Sequence, residues 1–121
     1  SAASEVEVLL AQMFQAALLG AKEASWERLT ALTFSGDLKA PKALDNLKAF
    51  SWKKLRANAT RYLSESRPDS FVVDRVVALE TGTGDERVKV FLLCPGANAA
   101  PVTLRRDPAA EGQWRLNQVS L

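Results

Sequence analysis

Residues 67–79 read Arg67-Pro68-Asp69-Ser70-Phe71-Val72-Val73-Asp74-Arg75-Val76-Val77-Ala78-Leu79, and this stretch divides the chain. Upstream of it, apolar residues recur every three or four positions. Downstream, they alternate. Within it, Phe71, Val73, Val77 and Leu79 alternate with Val72, Asp74, Val76 and Ala78. The β-branched content and the two-residue period predict a strand. Thr81-Gly82-Thr83-Gly84-Asp85 then reads as a hairpin loop. Val88 to Cys94 reads as a second strand, apolar enough on both faces to be central. Pro95-Gly96-Ala97-Asn98 turns the chain into a third strand around Val102, Leu104 and Arg106. Asp107-Pro108 with Gly112 forms the next loop, and Trp114 to Leu121 a fourth strand. Short loops imply an antiparallel meander.

Upstream, Val6, Leu9, Leu10, Met13, Phe14, Ala17 and Leu18 keep a helical period, with Ser4 placed to cap the helix and Gly20 to end it. A second helix is expected from Ser25, with Trp26 and Leu29 inward, stopping before the turn composition Ser35-Gly36-Asp37. Pro41 suits the first turn of a third helix carrying Ala43, Leu44, Leu47 and Phe50. Ser51 is placed to cap a further one, so 41–63 forms two pieces or one bent one. From Trp52, the residues Leu55, Ala59, Tyr62 and Leu63 fall on one face, with Lys53, Lys54, Arg56 and Arg61 outside it. Helices followed by strands is the α+β order. The expected fold is α+β, with three to four N-terminal helices packed on a curled, cone-like, four-stranded antiparallel meander. It forms one domain over 1–121, helical over 5–63 and sheet over 70–121. Trp26, Phe34, Phe50, Trp52, Tyr62, Phe71, Phe91 and Trp114 would supply core or pocket.

Composition removes whole classes of chemistry. The 121 residues include no His and a single Cys. There is no imidazole base, no Ser–His–Asp or Cys–His couple and no His metal ligand. One Cys makes neither an internal disulfide nor a thiolate-rich zinc site. Cys94, within Val90-Phe91-Leu92-Leu93-Cys94, reads as a small buried hydrophobe. Asp74 and Glu80 on one strand lie about 20 Å apart, too far to share acid–base work. Asp74-Arg75 reads as a surface ion pair and Asp85-Glu86 as a solubilising loop. Gly82-x-Gly84 lacks the strand-to-helix setting of a phosphate loop. No cofactor and no metal is therefore expected, and a binding module is preferred to an enzyme.

The net charge of +2 is unevenly spread. Residues 39–67 hold eight basic and two acidic side chains, a local +6 that leaves −4 for the rest. That segment, through Lys53, Lys54, Arg56 and Arg61, is the candidate surface for an anion or partner. Its plainer reading is the solvated face of a helix. Nucleic acid is the less favoured anion, because stacking needs exposed aromatics among the cations and Trp52 and Tyr62 fall on the apolar side. Trp26, Trp52, Tyr62 and Trp114 are the candidate lining of a small-ligand pocket; the plainer reading is core. A buried Trp N–H needs an acceptor, for which Thr103, Asn117 or Gln118 are candidates.

The longest apolar runs fall well short of the roughly 18–20 residues of a membrane span. Ser1-Ala2-Ala3-Ser4 has no Met and no leader pattern, and reads as a processed or excised end. A lone Cys leans towards the cytoplasm and leaves a processed periplasmic or secreted form open.

Helices followed by a curled sheet resemble the cystatin-like, nuclear-transport-factor-like cone fold. The closing Gly112-Gln113-Trp114-Arg115-Leu116-Asn117 is similar to the last strand of many such domains. Arg87-Val88-Lys89-Val90-Phe91-Leu92, then Pro101-Val102-Thr103-Leu104-Arg105-Arg106-Asp107, then Gly112-Gln113-Trp114-Arg115, resemble an uncharacterised bacterial domain family. The resemblance covers the last third of the chain and rests on packing signatures. Two departures stand out. The cone fold usually inserts a strand or hairpin before its third helix, for which 34–40 is too short. Its isomerase and dehydratase members carry pocket Asp and His, and this chain has no His. What the resemblance implies is the fold, together with dimerisation through the sheet or an accessory role. The expected function is a non-enzymatic interaction module, binding a protein partner or itself as a homodimer through the outer sheet face or the basic helix. The alternative is a small-ligand pocket, and the third reading is anion or nucleic-acid binding by 39–67.

Overall fold

In the computed structural model, which describes residues 2–121 and the side-chain surroundings from Ser4 onward, helices precede a four-stranded antiparallel sheet. Helix α1 (Ala2–Leu18) buries Leu9, Leu10, Met13, Phe14, Ala16 and Ala17. This is the apolar stripe read from the sequence. Ser4 is not its cap: the helix already runs at Ala2, consistent with the high helix propensity of Ala. Ser1 lies outside the described residues.

Helix α2 (Lys22–Ala31) starts upstream of Ser25, which is therefore interior and buried rather than a cap. Its hydroxyl accepts the Trp52 indole N–H at 3.0 Å. The stretch with turn composition forms a one-turn helix, α3 (Ser35–Lys39). The Asp107 carboxylate, 72 residues away in sequence, accepts both Ser35 N–H (2.8 Å) and Ser35 Oγ–H (2.9 Å). A donor-rich helix start held by a distant carboxylate gives no local sequence signal.

Residues 41–62 form one bent body. Helix α4 (Pro41–Asn46) has Pro41 in its first turn, as expected. A π-turn (Leu47–Ser51) leads into helix α5 (Trp52–Asn58), and a 3₁₀ turn (Ala59–Tyr62) ends it. Ser51 is helical and caps nothing. The core-facing Leu47 and Trp52 are five residues apart, and the π-turn puts both on the inner side. The same extra residue rotates Phe50 outward, so that this expected core residue is 68% exposed.

Strands β1 (Val73–Ala78), β2 (Arg87–Leu92), β3 (Ala100–Asp107) and β4 (Gln113–Val119) lie in chain order, each pair antiparallel. The sheet is curled and not closed. Val90, Leu92, Val102, Leu104 and Leu116 face α1 and α5 and join the core around Leu10, Met13, Phe14 and Leu55. Cys94 is buried with them, as read from the sequence. A bulge at Asp74 changes the facing of β1. Val73 pairs with Leu92 and Val76 with the buried Val90, whereas Val77 pairs with Lys89. Val77 therefore turns from the face of Val73 to the opposite one, correcting the unbroken alternation expected over Phe71–Leu79.

Candidate functional site

The sheet has two edges, β4 and β1, and the sequence folds them differently. β4 is covered. Leu116 N–H donates to Leu32 O and Phe34 N–H to Leu116 O, both at 2.8 Å, so that Thr33 adds a parallel bridge beside the strand. Thr33 Oγ donates to Leu29 O at 2.7 Å and fixes the turn out of α2. Asn117 Nδ2 donates to Asp37 Oδ2 at 2.9 Å. Asp107 is the buried anchor, accepting from Ser35 and, at 3.0 Å, from Ala109 N–H. Burial by itself pushes its carboxyl up. The bonds from Ser35 and Ala109 and the charge of Arg115 outweigh this and hold it below the ordinary carboxylate value.

β1 has no such cover among the described residues. Val76 is 55% exposed and Val77 41%, although they point to opposite faces of the sheet. Val72 (53%) and Leu93 are exposed at the other end of the strand, beyond the Asp74–Arg75 pair. Leu79 N–H donates to Arg87 O, so the alternate residues Val76 and Ala78 direct their backbone groups away from β2. The Asp74–Arg75 pair (3.0 Å) and the bulge blunt the first part of the edge. The pair is the surface ion pair expected from sequence. Beside β1 and under α1 opens a cleft of about 680 Å³, lined by Glu7, Val8, Ala11, Asp69, Phe71 and Val73 among others. Val8 is 57% exposed on its wall.

A second cleft of about 600 Å³ lies between α1 and β4, with Glu5, Gln12, Leu32, Arg106 and Trp114 in its lining. The Arg106 guanidinium sits 4.2 Å from the Trp114 ring centroid and pairs with Glu5 (3.4 Å) and Glu86 (3.6 Å). Trp114 Nε1 is buried with no hydrogen-bond partner among the described residues, so neither Thr103, Asn117 nor Gln118 serves it. Asp85, read as solubilising, instead holds Arg87 (2.8 Å) and Arg105 (3.0 Å). The Arg87 hydrogen bond is the main cause of the lowered Asp85 carboxyl.

The four aromatic candidates fall into separate groups. Trp26 and Trp52 form a tilted pair at 5.3 Å. Tyr62 packs on Phe14, which stacks on Phe71. Burial, and then Cys94 beside it, push the Tyr62 hydroxyl up. Trp114 alone of the four lines a described cleft. The basic candidates also part. Arg56 folds back on Leu19 O (2.6 Å) and Ala17 O, satisfying carbonyls at the end of α1. Lys53 and Arg61 are exposed, and Lys54 lines a third cleft of about 500 Å³ with Phe50 and Asn117. The sequence reading placed partner binding on the outer sheet face or the basic helix and did not single out the β1 edge. The signal present in sequence was the Asp74-Arg75 charge pair inside the run, a mark of an edge strand.

No group of carboxylates and thiols that could hold a metal ion occurs among the described residues. Among the described residues no helix is long and apolar enough to cross a membrane. No family model matches the chain, and neither curated proteins nor solved structures give a match.

Proposed function

We propose that the chain is a non-enzymatic protein-interaction module whose contact surface is the β1 edge. One observation carries this reading: Val76 and Val77, adjacent in sequence, are both exposed on a strand whose outer backbone groups have no partner strand among the described residues. Unpaired edges are templates for another chain, and exposed apolar groups next to them supply the burial that makes such pairing stable. A photocrosslinking residue at Val76 tests it in the source cells, with Gln15 on the exposed side of α1 as control. Discrete protein adducts are expected from Val76 and not from Gln15. Equal yields from the two positions would overturn the reading.

A second reading, a small-ligand site in the α1–β4 cleft, is favoured by the buried, unpartnered Trp114 Nε1. Such an orphan donor is costly, and a ligand acceptor is one way to satisfy it. The anionic dye anilinonaphthalene sulfonate is the probe: saturable binding lost in Trp114→Phe supports the cleft, and unchanged binding removes it.

A further inference from the structure

Resting on the interaction-module reading, we infer that β1 receives an extended, basic, apolar peptide segment as an added strand, with the α1–β1 cleft taking its side chains. Three features place this mode above a featureless apolar contact. The first is the backbone. The β1–β2 register directs the amide and carbonyl groups of Val76 and Ala78 to the open side. A strand laid there would form ladder bonds without any change in β1. The second is shape. The cleft beside the strand has an apolar wall of Val8, Ala11, Phe71 and Val73. The strand side of this lining ends at Val73, short of Val76 and Ala78, so a segment paired at those two residues meets the cleft with the end that runs on past the bulge at Asp74, where every second side chain points to the α1 side.

The third is charge. The lining of this cleft contains the carboxylates of Glu7 and Asp69 and no Lys or Arg. Asp74 and Arg75 at the strand already neutralise one another. A cationic segment therefore gains two attractions and meets no opposing cation in the cleft, whereas an acidic segment is repelled. A second copy of this chain is the weaker occupant. What it would present through its own β1 is the self-compensated Asp74–Arg75 pair, which leaves Glu7 and Asp69 without counter-charge. The bulge at Asp74 confines ladder pairing to the last part of the strand, so the end of the segment over the cleft is held by side-chain contacts and not by ladder bonds.

The test uses two fluorescein-labelled peptides of about six residues, a usual strand length. One alternates Lys with Val and the other Glu with Val. The first is expected to bind the intact chain about tenfold more tightly than the second, as two weak charge contacts would give. It should slow hydrogen exchange at the Val76 and Ala78 amides. The preference should disappear in the Glu7→Gln, Asp69→Asn double variant, whose isosteric changes leave the core untouched. Equal affinity for the two peptides, binding without protection of those amides, or no binding would each overturn the inference. So would sedimentation showing a dimer of the chain that Val76→Lys abolishes and the peptide does not displace. Crosslinking at Val76 with no peptide binding leaves the interaction module standing and removes only the strand-addition mode; absence of both removes both.

Discussion

β4 and β1 are edge strands of similar length, seven and six residues, and they meet opposite ends. β4 buries Trp114, Leu116 and Val119, and its outer backbone groups bond to the segment leaving α2. β1 buries none of its residues, and no described segment pairs with its outer side. An edge strand is finished by whatever the rest of the chain can bring beside it, more than by its own residues. Residues 32–34 reach β4 because Asp107 seizes the start of α3 and Asn117 holds Asp37. No described segment reaches β1 in the same way. The side left open is where an intermolecular strand has room.

This contrast can be broken by experiment. The largest effect is expected from Leu116→Ala, which opens a cavity under the covered edge. It should cost about 3–4 kcal/mol, read from the urea unfolding midpoint. A loss no greater than that of a surface residue would mean that the closed edge is loosely packed. Next comes Asp107→Asn, which removes the charge from three hydrogen bonds and turns an acceptor into a donor beside Ser35. A loss of about 2 kcal/mol is expected in the same titration, with little change of slope.

The same residue predicts a pH dependence. The folded Asp107 carboxyl titrates below its unfolded value. Its contribution is therefore complete above the ordinary carboxylate range and is lost as pH falls through the depressed folded value. Asp107→Asn should flatten the acid limb of stability against pH, and an unchanged limb would assign acid sensitivity elsewhere. The smallest effect belongs to the open edge. Val76→Ala should shift stability by no more than about 0.5 kcal/mol, because the side chain is more than half exposed. A large loss would show that β1 is covered in solution, by a second copy or by the chain itself.

The order of elements was legible because periodicity is local. The stripe Leu9, Leu10, Met13, Phe14 and the alternation around Val90 and Leu104 are backbone geometry written into side chains. The bulge at Asp74 was not legible, since valines at both 72 and 73 before it and at both 76 and 77 after it fit either phase of the alternation. Nor was the π-turn, which sent Phe50 outward by one inserted position. The candidate site divides in the same way. Trp52 and Tyr62 read correctly as lying on the apolar side of their helix. Arg56 read as a free cation because its partners, the carbonyls ending α1, lie far away in sequence. Trp26, Trp52, Tyr62 and Trp114 read as one set, but hydrophobic composition says that residues are buried and not beside which others.

By itself, then, the sequence determined an α+β chain with a 3.6-period half, a 2-period half and no imidazole chemistry. Each of these follows from residues near one another or from composition alone. Only the tertiary structure decided which edge of the sheet was closed, that Asp107 would cap a helix 72 residues before it, and that two valines would be left at the rim. Those outcomes depend on contacts between distant segments, whose formation is set by how the helices fit over the curled sheet and not by the residues at the edge.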